Sequence, residues 1–130
     1  MQWSTFPNKY VQEVPLSKRK KQSEKVATEF PDRVPVVVQS CSGDIHLDQI
    51  KFLVPNTTSL AVFFAKLREY VTYRHGPLPP EKALFLLVGD RQMLFSMNHS
   101  MSDVHAAQGS KDGMLYVWVM EESTFGTNRA

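Results

Sequence analysis

One apolar stripe on a single helix constrains the fold of this chain more than any other feature of its sequence. Large apolar side chains recur at helical spacing in one segment, at Leu60, Phe63, Phe64, Leu67 and Val71. This spacing places them on one face of a helix, and Thr57, Thr58 and Ser59 offer caps for its first turn. A helix with one broad apolar face must bury that face, so the chain needs a sheet or further helices to cover it.

Short apolar and β-branched runs on both sides of this helix predict the covering sheet. They lie at residues 33–40, 51–55, 83–88, 93–95 and 114–120. Ser100 with Asp103 three residues later resembles a capping box, which predicts a short helix to about Ala107. Two strands, a crossing helix and then more strands describe an α+β fold with a mixed sheet over a central helix. With five strands this is the ubiquitin-like β-grasp arrangement.

The first thirty residues form a separate, basic segment. They contain six Lys or Arg residues against three Glu residues, although the net charge of the whole chain is only +2. Ser17 can cap a helix from Lys18 to about Glu29, which Pro31 ends because the residue before a proline avoids the helical region. We therefore expect residues 1–30 to form an arm and a basic N-terminal helical extension packed on the domain. Residues 31–121 then form the ubiquitin-like domain and residues 122–130 a flexible tail.

Several classes of function find no support in the sequence. The four His residues lack metal-ligand spacing, and Cys41 is the only cysteine, so neither a metal site nor a disulfide framework is predicted. There is no Gly-rich phosphate loop and no nucleophile elbow, so we predict no catalytic residues, no cofactor and no enzyme activity. No apolar run approaches the ~20 residues of a membrane-spanning helix, and the N-terminus lacks the apolar core of a signal peptide. A lone cysteine suits a reducing compartment such as the cytoplasm.

Five segments in chain order carry a family resemblance. They are Lys18 to Val38, with Phe30-Pro31-Asp32-Arg33-Val34-Pro35 at its centre, Lys51-Phe52-Leu53-Val54-Pro55, Leu78 to Phe85, Asp112 to Val117, and Ser123-Thr124-Phe125-Gly126. Together they cover most of the chain and resemble the autophagy protein eight family of ubiquitin-like modifiers. That family includes the microtubule-associated-protein light chains and the GABA-receptor-associated proteins. The departures in this sequence indicate a divergent member.

The resemblance implies a modifier and adaptor of autophagy that is processed at its tail. A cysteine protease would remove everything after Gly126, and activating and conjugating enzymes would then join Gly126 to phosphatidylethanolamine. Glycine suits a narrow thioester or protease cleft because it has no side chain and no φ restriction, and Phe125 offers an apolar anchor. The implied localisation is the cytoplasm, and the autophagosome or the vacuolar or lysosomal membrane when lipidated. The implied role is autophagosome formation and the docking of cargo receptors.

The resemblance also implies a groove for a short aromatic–x–x–aliphatic peptide. Such a peptide would add a strand to the edge strand 51–54, on which alternation sends Lys51 and Leu53 to one face and Phe52 and Val54 to the other. The positions that match the first pocket of the family are Glu24, Pro35, Val37, Lys51 and Met114. Those that match the second are Phe52, Val54, Pro55, Phe63 and Leu67. Arg33 and Lys51 would meet acidic residues flanking the motif.

Departures from the family pattern leave alternatives open. Gln49 and Ile50 replace basic residues, which weakens the attraction for acidic motifs, and Met114 replaces an aromatic residue with a more flexible one. An unconjugated ubiquitin-like interaction domain is one alternative. Another is a microtubule-binding adaptor using the basic run at residues 18–21, which can equally be a solvated helix face. That run lacks the aromatic residues of a single-strand nucleic-acid binder.

Overall fold

The protein folds into four helices and four strands over the part of the chain that is described. The computed structural model describes residues 6–41, 47, 49–78 and 82–123. In chain order the elements are α1 (Lys9–Glu13), α2 (Leu16–Glu29), β1 (Arg33–Ser40), β2 (Ile50–Pro55), α3 (Leu60–His75), β3 (Lys82–Val88), α4 (Met101–Gln108) and β4 (Leu115–Ser123). Strand β1 has the predicted bounds, and the other predicted strands shift by one to three residues at their ends.

The four strands form one mixed sheet in the order β2-β1-β4-β3. The central pair β1–β4 is parallel, whereas β1–β2 and β3–β4 are antiparallel. This arrangement confirms the predicted α+β class and mixed sheet. The expected fifth strand at residues 93–95 is wrong for the described residues, because Met93 makes only an isolated bridge to Val88. Gln92 has a φ of 54°, which breaks the extended backbone just before Met93.

One face of the sheet is covered by the predicted central helix. Four side chains of the apolar stripe are buried against the sheet, namely Leu60, Phe63, Leu67 and Val71, while Phe64 is half-buried beside them. Of the three cap candidates the structure uses Ser59, whose hydroxyl oxygen accepts a hydrogen bond from the Val62 N–H at 3.1 Å. Ser100 caps α4 in the same way, accepting from the Asp103 N–H at 3.1 Å.

The opposite face of the sheet is covered by the N-terminal segment. A second apolar cluster lies there, made of Tyr10, Val37, Cys41, Met114, Tyr116 and Trp118. The buried Gln39 side chain anchors α1 to this face. Its Oε1 accepts from the Lys9 N–H at 2.8 Å, and its Nε2 donates to Asn8 Oδ1 at 3.0 Å. The sheet is therefore a middle layer between α3 and α4 on one side and the N-terminal helices on the other.

Two element boundaries differ from the sequence-based expectation. Helix α2 starts at Leu16, with Pro15 and not Ser17 at its N-cap, because the Pro15 carbonyl already accepts from the N–H groups of Lys18 and Arg19 at 3.0 Å. Strand β4 continues to Ser123, which is paired with Lys82. The first two residues of the predicted tail thus belong to the sheet, whereas Phe125 and Gly126 lie outside the described residues.

The buried Cys41 thiol gives the fold a testable pH dependence. Burial raises the pKa of this thiol to about 11 from an ordinary value near 9. The folded state therefore holds the thiol proton more tightly, so this stabilisation is complete below pH 9 and is lost as the pH rises through 11. One pKa unit corresponds to about 1.4 kcal/mol. Between pH 8 and pH 11 the free energy of unfolding should therefore fall by about 2–3 kcal/mol more in the unaltered protein than in Cys41→Ala. Urea unfolding of both proteins at both pH values checks this, and equal losses would contradict it.

Candidate docking groove

Strand β2 forms one edge of the described sheet and carries the predicted alternation. Lys51 and Leu53 are exposed, Phe52 is half-buried and Val54 is buried, with Leu53 opposite Pro35 and Lys51 opposite Val37 on β1. Antiparallel pairs alternate between hydrogen-bonded and non-hydrogen-bonded, and Pro35 has no N–H to donate. The backbone hydrogen bonds between β1 and β2 therefore join the pairs of even-numbered residues. The Asn56 N–H, which donates to the Asp32 carbonyl at 2.9 Å, fits this pattern. It follows that the backbone polar groups of Lys51 and Leu53 point away from β1.

A concave groove of about 270 Å³ lies between β2 and α2. Four of the five residues predicted for the first pocket line it, namely Pro35, Val37, Lys51 and Met114. Leu53 lines it as well, together with Gln22, Lys25 and Val26 from α2, which the sequence analysis missed. Gln22, Lys25 and Val26 follow one another at spacings of three and one, which places them on one side of a helix. This spacing is the sequence signal from which they could have been predicted.

Glu24 and Arg33 do not line this groove. Both line a separate cavity of about 350 Å³ on the other flank of α2, whose lining also includes Asn56 and His105. The Arg33 side chain instead reaches over the end of β2, where its Nη1 donates to the Leu53 carbonyl at 3.2 Å. Arg33 thus remains close to the edge on which a docking strand would pair.

The residues predicted for the second pocket gather on the other face of β2. Val54, Phe63 and Leu67 are buried in the main core, and Pro55 is exposed at the end of the strand. The half-buried Phe52 ring lies edge-on to Phe63, with centroids 5.9 Å apart, and edge-on to Tyr70 at 6.2 Å. Phe52 and Pro55 therefore form the accessible part of this site and the buried residues form its floor, while Phe52 also lines the groove between β2 and α2. Tyr70 was not among the residues predicted for this pocket.

Two exposed lysines give the groove a positive rim. Lys25 and Lys51 both line it, one on α2 and the other on β2. The Lys51 ammonium lies 5.6 Å from the centre of the Tyr10 ring. Ammonium groups at this position can meet the acidic residues of a peptide through charge-assisted contacts.

A buried ion pair holds α2 against the turn that precedes β4. Arg19 Nη1 lies 2.7 Å from Asp112 Oδ2, with side chains that are 9% and 0% exposed. The Asp112 carboxylate also accepts from the Tyr116 hydroxyl at 2.5 Å and the Met114 N–H at 2.8 Å. The hydrogen bond to Asp112 raises the pKa of Arg19, and burial raises the pKa of Tyr116 far above its usual value. Of the basic run 18–21, only the three lysines are exposed.

Within the described ranges the protein shows neither a metal-binding cluster nor a membrane-spanning helix. These residues contain no cluster of His, Cys, Asp and Glu that could hold a metal ion. No helix among them is long and apolar enough to cross a membrane.

Comparisons with known proteins agree on one family. The family model described as "Autophagy protein Atg8 ubiquitin like" matches residues 18–126. Autophagy-related protein 8 of Saccharomyces cerevisiae is 38% identical over 125 residues, which span 95% of this chain and 97% of that protein. Its counterpart in Candida glabrata is 37% identical with the same coverage. The crystal structure of Trypanosoma brucei ATG8 superposes with a TM-score of 0.77 at 30% identity, over 92% of this chain and 99% of that one.

Proposed function

This chain belongs to the Atg8 family of ubiquitin-like autophagy proteins, and we propose that it is a lipid-conjugated modifier that also docks cargo receptors. The observation that carries the proposal is the family match, which runs from residue 18 through Gly126 and so includes the expected conjugation site. The family is one of ubiquitin-like modifiers and not of catalytic enzymes, and its partners belong to a ubiquitin-like conjugation pathway.

The proposed chemistry takes place at Gly126, three residues after β4 ends at Ser123. A cysteine protease hydrolyses the peptide bond after Gly126 and frees its carboxyl group. An activating enzyme uses ATP to convert this carboxyl group to an acyl adenylate with release of pyrophosphate, and an enzyme thiol then displaces AMP to form a thioester, which passes by exchange to a thiol of the conjugating enzyme. The amine of phosphatidylethanolamine displaces the thiol and forms an amide, which places the protein on the autophagosome or the vacuolar or lysosomal membrane. Phe125 gives these enzymes an apolar side chain to recognise.

The proposed docking takes place on β2. A receptor peptide with an aromatic–x–x–aliphatic motif adds a strand along the outward backbone groups of Lys51 and Leu53. Its aromatic side chain enters the groove lined by Val26, Pro35, Val37, Leu53 and Met114. Its aliphatic side chain covers Phe52 on the other face. Carboxylates of the peptide contact Lys51 and Lys25. These two lysines offset the absence of the basic residues that the family usually has at the positions of Gln49 and Ile50.

A second candidate function is docking without conjugation. All the described residues that line the groove lie between Gln22 and Met114 in the chain, so we propose that docking does not require Gly126 to be modified. The microtubule-binding alternative is weakened, because the Arg19 guanidinium is buried against Asp112 and is not free to meet an acidic tubulin tail.

Replacing Leu53 tests the docking part of this proposal. Leu53→Ala removes an apolar wall of the groove while keeping the backbone of β2, and a buried leucine side chain contributes about 1.5–3 kcal/mol. Because Leu53 is 38% exposed before binding, a peptide can bury only that share of its surface, and we expect an acidic aromatic–x–x–aliphatic peptide to bind about three- to sevenfold more weakly. Isothermal titration calorimetry measures this. Leu94→Ala is the matched control. Leu94 is 66% exposed, but it follows β3, which forms the edge of the sheet opposite to β2. Equal affinities for Leu53→Ala and the unaltered protein would remove the groove assignment.

A further inference from the structure

Helix α1 of the N-terminal arm contacts both walls of the groove between α2 and β2. The Tyr10 hydroxyl donates a hydrogen bond to Gln22 Oε1 on α2, and the Tyr10 ring lies beneath the Lys51 ammonium of β2. Glu13, one turn later, accepts a hydrogen bond from Gln49 Nε2 at 3.0 Å, directly before β2. Gln22 and Lys51 both line the groove. Tyr10 therefore contacts both walls at once.

Tyr10 is itself held firmly enough to position its neighbours. It is 3% exposed, and its ring centroid lies 6.2 Å from that of the buried Tyr116. Its backbone N–H donates to Gln39 Oε1 at 3.3 Å, and α1 begins with the Asn8 cap. Burial raises the pKa of the Tyr10 hydroxyl, so it remains a hydrogen-bond donor throughout the physiological range.

The contact with Tyr10 restricts a side chain that is otherwise mobile in solution. A lysine has four rotatable bonds, and immobilising such a side chain at an interface costs about 0.5–1.5 kcal/mol. An ammonium group within ~6 Å of a tyrosine ring centre is attracted by the ring and keeps its charge. Lys51 is thus ordered before a peptide arrives, with its charge directed at the rim of the groove. A peptide carboxylate that reaches Lys51 gains from this order, whereas a neutral peptide does not.

We propose that Tyr10 is a positioning residue that sets the preference of the groove for acidic peptides by holding Lys51 on one wall, while its hydrogen bond to Gln22 fixes the other wall without regard to peptide charge. The N-terminal arm is then part of the recognition site for receptor peptides, although it does not line the groove itself. This inference rests on the proposed docking function.

Two substitutions at Tyr10 separate its two contacts. Tyr10→Phe removes the hydrogen bond to Gln22 and keeps the ring under Lys51. Tyr10→Leu removes both contacts and keeps an apolar side chain in the cluster. Gln92→Asn is the matched control. It should weaken the attachment of the N-terminal arm to the domain without changing either contact of Tyr10. It shortens the amide that pairs with the Phe6 N–H and carbonyl at 2.8 and 2.7 Å. Neither residue lines the groove, and asparagine tolerates the positive φ at this position.

The readout is the ratio of two dissociation constants, which a purely structural role would not change. One peptide carries Asp or Glu before its aromatic residue, and the other carries Asn or Gln at the same positions. We expect Tyr10→Leu to lower the preference for the acidic peptide about two- to fivefold, the size of an exposed cation–π contact. Tyr10→Phe should leave this preference intact and weaken both peptides equally. Gln92→Asn should leave it intact as well.

A double-variant comparison completes the test. In a Lys51→Ala background, Tyr10→Leu should have no further effect on the ratio, because the residue through which it acts is gone. An unchanged ratio in Tyr10→Leu alone, with tight binding retained, would overturn the inference and leave the docking groove in place. Failure of the unaltered protein to bind either peptide would instead overturn the docking function on which the inference rests.

Discussion

Gly126→Ala is expected to abolish both tail removal and lipid attachment while the fold survives. The substitution adds one methyl group beyond the last strand, so the unfolding midpoint should match that of the unaltered protein. The same methyl group occupies the narrow clefts in which a protease and two conjugating enzymes handle the glycine. Cells that produce this variant should therefore contain only the unprocessed chain, and membrane flotation should leave the variant with the soluble proteins.

A pair of shortened chains separates processing from conjugation. A chain ending at Gly126 needs no protease and should attach to membranes normally. The same chain with Gly126→Ala should not attach, because only the conjugation steps remain to be blocked. Normal membrane recruitment of either Gly126→Ala variant would rule out Gly126 as the site of attachment.

Arg19→Leu is expected to lower the free energy of unfolding by about 3–5 kcal/mol, because it leaves the buried Asp112 carboxylate without its cation. Asp112 is 0% exposed and lies 2.7 Å from Arg19. Removing one partner of a buried pair is far more destabilising than removing both. Urea denaturation followed by far-UV circular dichroism measures the effect.

Lys20→Leu is the matched control for this substitution. Lys20 belongs to the same basic run but is exposed, so its replacement should change stability by no more than about 0.5 kcal/mol. Adding Asp112→Asn to Arg19→Leu removes the orphan charge, keeps an acceptor for the Met114 N–H and should recover part of the loss. A loss below about 1 kcal/mol for Arg19→Leu would contradict a stabilising role for this pair.

The parts of the fold that were predictable depend on local periodicity. The stripe from Leu60 to Val71 identifies α3 because apolar residues at helical spacing need a common face. Ser59 and Ser100 act as caps because a hydroxyl next to a helix start can accept from an orphan N–H. The outward side chains of β2 follow from period-two alternation. These elements could be predicted because the signal that identifies each of them lies within a few residues of the chain.

The parts that escaped prediction depend on contacts between distant residues. In the sequence Arg19 is one of four consecutive cations, a pattern typical of a solvated helix face. Its contact with Asp112, 93 residues away, is visible only in the folded protein. Gln39 sits in an apolar strand with nothing nearby to show that it anchors α1. Tyr10 likewise meets Lys51 only through packing.

The groove was predictable in outline because the resemblance supplied most of its lining. On α2, however, the wall consists of Gln22, Lys25 and Val26, while the predicted Glu24 lies on the other flank. A helix turns by 100° per residue, so a shift of one or two positions in the match moves a side chain to a different flank. The resemblance therefore identifies the strand residues better than those of the helix.

Attachment of this protein to a lipid through Gly126 can be observed by intact mass spectrometry of the protein recovered from its own cells, fed and starved. We expect a species that ends at Gly126 and carries one phosphatidylethanolamine, and its amount should increase on starvation. A chain that still ends at Ala130 under every condition would contradict conjugation and leave the β2 groove as the functional site.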